Sequence, residues 1–187
     1  RDGGYYNSWN FEEKVVKKYL ECMNNLNIDY VEIGFRFLKD SQNLGQFAST
    51  TEKIISKYKI PKKMKLAVMI NIGEFSLKKL KFDLDKKFTS RSRSKVSLVR
   101  IATHQNEIDL AIEAAKILKK KGYLTAINLM QISEINLDKI KKICSKLKKN
   151  FLDFFYFFFS LNFLKSSLTI VICLIIKNIC LGPLVIH

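Results

Sequence analysis

The side chains of this chain that could do chemistry are polar residues placed where strand-like runs end. Arg1-Asp2-Gly3-Gly4 sets a guanidinium beside a carboxylate at the start, and Glu32 and Arg36 lie in and after the run at residues 29–35. Asn71 closes the run at 65–72, Arg100 and His104 lie around 96–102, Asn128 and Gln131 around 123–129, and His187 follows 183–186. A charge at a strand end is costly to bury without an opposite charge or a metal. Asp2 and His187 supply an oxygen and a nitrogen of the kind a divalent cation takes. Arg1 is placed to stabilise negative charge developing on an enolate oxygen. Any one of these residues alone is more often structural; an Asn or Gln at a strand end usually just completes hydrogen bonds. Their recurrence at successive strand ends points to one shared mouth.

The elements that must position them alternate. Residues 11–25 read as a helix, with Phe11, Val15, Tyr19, Cys22 and Leu26 on one stripe. Strand-like runs at 29–35, 65–72, 96–102, 123–129, 151–159 and 183–186 are separated by helical stretches at 50–58, 75–88, 106–121, 136–149 and 166–180. In 106–121, Asn106 is the expected cap, Ile108, Ala111, Ile112, Ala115 and Leu118 form the apolar stripe, and Gly122 ends the helix. Leu137, Ile140, Cys144 and Leu147 form the corresponding stripe of 136–149. Alternation with short connections implies right-handed crossovers, in either a doubly wound sheet or a (β/α)8 barrel. No Gly-rich dinucleotide turn or phosphate loop is present, which weakens the nucleotide-binding sheet. A full barrel takes about 250 residues, and this chain has 187. The expected fold is therefore α/β: an incomplete (β/α)8 TIM barrel, one domain over 1–187, running from the end of strand 1 to the end of strand 7.

The net charge of +16 comes mainly from lysines spread over many segments. Solvated helix faces explain such a spread better than a nucleic-acid surface, because no aromatic-basic recognition motif accompanies it. Cys22, Cys144, Cys173 and Cys180 form no C-x-x-C pair and lie in apolar helical patterns, so buried free thiols and a cytoplasmic setting are expected. Residues 151–187 are atypical. They hold one acid, Asp153, and two strong bases, Lys165 and Lys177, around the apolar runs 154–159 and 168–176. Neither run reaches the roughly 18–20 residues a membrane span needs, so a degenerate tail or a partner-covered segment is the expectation.

The ordered set Arg1-Asp2-Gly3, Val31-Glu32-Ile33-Gly34-Phe35-Arg36, Leu44-Gly45-Gln46-Phe47-Ala48, Val99-Arg100-Ile101-Ala102-Thr103-His104 and Asn128-Leu129-Met130-Gln131-Ile132-Ser133 covers most of residues 1–150. It resembles the metal-dependent aldolase and acyltransferase superfamily, in particular its 4-hydroxy-2-oxovalerate aldolase-like branch; hydroxymethylglutaryl-CoA lyase and the homocitrate and isopropylmalate synthases are relatives. The resemblance implies a carbon–carbon lyase acting on a 2-oxo acid through a pyruvate-type enolate, with Mg²⁺ or Mn²⁺ as cofactor. It implies Asp2 as a metal ligand and His187 as the first histidine of a His-x-His pair. Arg1 is implied as the residue polarising the substrate oxygen, with Glu32 orienting Arg1 or the substrate. Arg100, His104 and Asn128 are expected to bind substrate. The family's histidine after Arg-Asp-Gly is replaced by Gly4-Tyr5-Tyr6-Asn7, leaving Tyr5 or Tyr6 to move a proton. Phe159 and Asn162 stand where the family's sixth strand carries Asp and Gly. Part of the expected site is thus missing, so an inactive or truncated remnant and an acyl-CoA-dependent acyltransferase remain as alternatives. A homo-oligomer or a partner enzyme is left open.

Overall fold

The computed structural model describes residues 4–26, 28–39, 43–150, 154–160 and 169–174. A short turn of helix α1 (Gly4–Asn7) precedes α2 (Glu13–Asn25), followed by β1 (Tyr30–Phe35), α3 (Glu52–Ser56), β2 (Lys65–Asn71), α4 (Leu80–Lys87), β3 (Val96–Thr103), α5 (Ile108–Lys120), β4 (Leu124–Leu129), α6 (Leu137–Lys149), β5 (Phe154–Ser160) and β6 (Thr169–Leu174). The strands form one sheet in the order β1-β2-β3-β4-β5-β6. The pairings from β1 to β5 are all parallel. A doubly wound sheet reverses its strand order part-way; no reversal occurs among the described strands. Right-handed crossovers that always step in one direction put every helix on the same face. The sheet is singly wound, as an arc of a barrel is.

The alternation of side chains across the pleat divides residues between two layers. Leu66, Val68 and Ile70 of β2, Val99 and Ile101 of β3 and Ile127 and Leu129 of β4 face the helices in one buried cluster with Ala111, Ala115 and Leu118 of α5. The opposite face begins with a small apolar floor of Ala67, Leu98 and Ala126, flanked by Tyr30 and Leu124. Both faces of β2 and β3 are covered, which is why their sequences read as nearly continuous apolar runs.

Several expectations are corrected. The stripe assigned to α2 is off by one residue: Val16 and Leu20 are buried, whereas Val15, Tyr19 and Leu26 are exposed. The doublets Val15-Val16 and Tyr19-Leu20 offer two stripes of similar hydrophobicity, and packing selects the second. Cys22 is exposed and Cys144 half-buried, so Cys22 is not a buried thiol. Leu137 is exposed, while Leu147 anchors α6. Asn106 does not cap α5; a 3-10 turn over Gln105–Glu107 intervenes, with His104 at its start. The stretch at 166–180 contains strand β6, antiparallel to β5, rather than a helix. Its Thr169-Ile170-Val171-Ile172 run is β-branched throughout, which lowers helix propensity and favours a strand. Cys173 accordingly lies on a strand; Cys180 and the run at 183–186 lie outside the described residues. Gly122 ends α5 as expected, at φ 90°. Among the described residues, no helix is long and apolar enough to cross a membrane.

Candidate functional site

Beside the apolar floor and beyond it, toward the carboxyl ends of the strands, the helix-free face turns polar. Glu32 is level with Ala67, and Arg100 is level with Met69, one step nearer the open end. Arg100 reaches diagonally across β2 to form a fork with Glu32: Nε donates to Oε2 at 2.6 Å and Nη2 donates to Oε1 at 2.6 Å. A strand lies between the two partners, and the small side chain of Ala67 on that strand leaves room for the crossing. The two side chains are 19% and 17% exposed, so most of both charges is out of water and each depends on the other. Bidentate geometry fixes the guanidinium plane. Among the described residues, Nη1 donates no hydrogen bond.

Asn128 stands one step nearer the open end of β4 than Ala126, the register partner of Arg100, and is 3% exposed. Its backbone is in register with Ala102 on one side and Tyr156 on the other. His104 follows β3. Its backbone N–H donates to Glu107 Oε2 at 3.0 Å. The other oxygen of Glu107 approaches the β2–α4 turn so closely that a Cβ on Gly73 would lie 2.8 Å from it. His104 and Glu107 share a cleft of about 480 Å³ with Met130, Gln131 and Glu134. Gln131 is left-handed at φ 53°, a conformation that costs an L-residue about 1–2 kcal/mol. Its position directly beyond β4 puts that strain at the mouth.

Glu32 also lines a smaller cleft of about 200 Å³ with Phe11, Val15 and Tyr19 of the α2 side. Burial raises the Tyr19 hydroxyl above its ordinary value, and the nearby Glu32 charge adds to the rise. Glu74, beyond β2, receives the Leu38 N–H at 2.7 Å and so ties the β1–α3 loop to the β2 end. Burial raises its carboxyl, against the lowering effect of that bond. A wider cleft of about 700 Å³ is lined by Arg36, Lys39, Lys86 and Lys87. Arg36 is not a free cation there. It donates to Thr50 O, Lys87 O and Glu52, and its guanidinium lies 4.7 Å from the Phe88 ring centroid. That residue is structural and faces the helices.

The structure thus brings Glu32, Arg100 and Asn128 to one face. It places His104 at the rim, and among the described residues the partner of Glu32 is Arg100. Tyr5 packs edge-on against Trp9, with ring centroids 4.8 Å apart, near the end of β1. Tyr6 is 93% exposed. Arg1, Asp2 and His187 lie outside the described residues. Among the described residues, no group of three or more His, Cys, Asp or Glu is placed to hold a metal. Both oxygens of Glu32 accept hydrogen bonds from Arg100.

The sequence pattern missed Trp9. Its indole crosses Phe35 and Phe37 edge-on at 5.6 and 5.1 Å, and those two rings stack at 4.6 Å. Phe35 is level with Met69, hence with Arg100. Ser8 and Trp9 both have positive φ, at 55° and 58°. Gly45 permits this by donating to Ser8 O at 2.6 Å; a Cβ at Gly45 would lie 2.3 Å from Trp9 O. Consecutive positive φ at non-glycine residues was the signal, and it is visible only in the backbone.

No protein-family model matches this chain, and no curated protein matches it. Among solved structures, it is similar to the crystal structure of "the N-terminal domain of a putative aldolase from Bacteroides vulgatus", with 30% identity and a TM-score of 0.62. The alignment covers 84% of this chain and 51% of that one, so the chain spans about half the length of that neighbour. The fold is aldolase-like.

Proposed function

We propose that this chain carries the catalytic face of a carbon–carbon lyase acting on a 2-oxo acid through a pyruvate-type enolate, on an arc of a (β/α)8 barrel. The observation that carries the reading is the Glu32–Arg100 fork. A guanidinium held in a fixed plane, with one nitrogen uncommitted among the described residues, stands on the helix-free face of a singly wound sheet. Such a group suits a 2-oxo acid carboxylate, which pairs with arginine by charge-assisted hydrogen bonds. Asn128 adds a polar amide one step away and His104 a rim imidazole. Arg1 and the tyrosines Tyr5 and Tyr6 stay in the proposal as polarising and proton-moving groups. The similarity to an aldolase-named structure at 30% identity supports the reaction class.

Metal dependence is a separate part of the proposal, resting on Asp2 and His187. The described residues do not form a metal site by themselves, so the step assigned to them is substrate binding and orientation. When bound, Mg²⁺ or Mn²⁺ would supply Lewis-acid stabilisation of developing negative charge. A cytoplasmic setting and a small-molecule partner complete the reading. A second reading, a remnant that binds without turnover, is favoured by one observation. β6 runs antiparallel, whereas every strand of a (β/α)8 barrel is parallel.

The test is exchange of the pyruvate methyl protons in D₂O with Mg²⁺ or Mn²⁺ present or removed by chelation. Metal-dependent exchange that Arg100→Met abolishes is the expected result. Pyruvate binding without exchange selects the remnant, and no binding at all refutes both.

A further inference from the structure

We propose that Trp9 is a ligand-binding residue whose indole N–H donates to the oxygen of a neutral carbonyl compound, an aldehyde or ketone, held against the aromatic group at the end of β1. Among the buried side-chain polar atoms described, Trp9 Nε1 is the one with no hydrogen-bond partner. The residue is 7% exposed. A buried donor left without an acceptor is disfavoured, and native structures rarely retain one without a reason. Packing alone does not supply that reason, since phenylalanine would fill an aromatic position without burying a donor. The backbone points the same way: Trp9 and Ser8 keep positive φ, enforced by Gly45 on one side. On the other side, Gly4 admits the indole, since a Cβ there would lie 2.3 Å from Nε1. Strained backbone held by its surroundings clusters at ligand sites.

The place and the chemistry select the ligand. Phe35, beneath the indole, is level with Arg100 across the sheet. The surround is Tyr5, Phe35 and Phe37, and no ion pair among the described residues reaches it. A carboxylate would lose its hydration there without a countercharge, whereas a carbonyl oxygen needs only one donor and its hydrocarbon body suits aromatic walls. The cover is slight. α1 has four residues, and its Tyr5 and Tyr6 are 65% and 93% exposed. The choice of a carbonyl ligand rests on the lyase reading, in which an aldehyde is the second reaction partner; the orphan donor does not.

Trp9 is the single tryptophan of the chain, so a ¹⁵N-labelled sample of the full chain gives one indole N–H signal. Butanone serves as an unreactive neutral probe and pyruvate as the charged one. The expected result is a saturable downfield movement of the indole signal with butanone. Trp9→Phe should weaken butanone binding about fivefold, the equivalent of one ordinary hydrogen bond, read from broadening of the ketone methyl line. A stationary indole signal overturns the proposal, as does unchanged butanone affinity in a folded Trp9→Phe protein. If the indole responds while the Arg100 amide ignores pyruvate, the lyase reading falls and this one stands.

Discussion

Replacing Arg100 with Met would leave the Glu32 carboxylate facing an apolar floor with nothing to neutralise it. Two N–H···O bonds of 2.6 Å disappear together. Exposed ion pairs contribute about 0–1 kcal/mol, and removing one member of a fully buried pair costs about 3–5 kcal/mol. The partners are 19% and 17% exposed, so the pair lies nearer the buried limit, and Arg100→Met should cost about 3 kcal/mol. Glu32→Met leaves a cation whose longer stem can turn toward the open end, so about 2 kcal/mol is expected. The double variant removes both charges and sets two flexible apolar side chains over Ala67, Leu98 and Ala126; it should cost about 2 kcal/mol, less than Arg100→Met alone. The coupling is then about 3 kcal/mol, at the upper end for contacting residues. Urea denaturation of the four proteins at one pH, compared at equal m-values, measures this cycle. A loss below about 1 kcal/mol for Arg100→Met, or a double variant equal to the sum of the singles, would refute the argument that the fork is a shielded, interdependent unit.

Two further perturbations follow from the same geometry. Ala67→Leu inserts a branched side chain where Arg100 crosses β2; overpacking should cost about 1–3 kcal/mol, and pyruvate binding measured by calorimetry should be lost in the protein that remains folded. Unchanged binding would show that the small residue is not what permits the crossing. Glu52 accepts Arg36 Nη2 and Ser94 Oγ through one oxygen and the Lys95 N–H through the other. Burial pushes its carboxyl up, but the bonds from Ser94 and Arg36 outweigh this and hold it below the ordinary value of 4.5. A lowered folded-state value means stability present above the unfolded value and lost as pH falls through the folded one. The stability difference between wild type and Glu52→Gln should therefore be constant at pH 5–7 and shrink below about pH 4.5; urea midpoints that stay parallel down to pH 3 would contradict it.

Much of the scaffold was legible along the chain, because strand and helix periods are local. The runs around Val68, Val99 and Ile127 and the stripe from Ile108 to Leu118 were placed correctly, since each buries a face that its own residue spacing defines. Locality also explains the errors. In α2, two adjacent stripes had nearly equal hydrophobicity, and only contact with the sheet chose Val16 and Leu20 over Val15 and Tyr19. Around 169–174, sparse charge and β-branched residues fit a helix or a strand by length, and pairing with β5 decided for the strand.

The candidate site divides in the same way. Along the chain, polar residues in or just after apolar runs could be picked out, Glu32, Arg36, Arg100 and Asn128 among them, but not which of them the fold would set on one face. Tertiary structure alone decided that Arg100, sixty-eight residues away in the chain, is the partner of Glu32 and that Ala67 makes room for the crossing. It alone decided that Arg36 is spent on the helix layer. It alone showed Trp9 holding a buried donor with no acceptor. Register between strands, bulges such as the one between Glu32 and Gly34, and backbone conformation at single residues are set by contacts distant in the chain, and no local period encodes them.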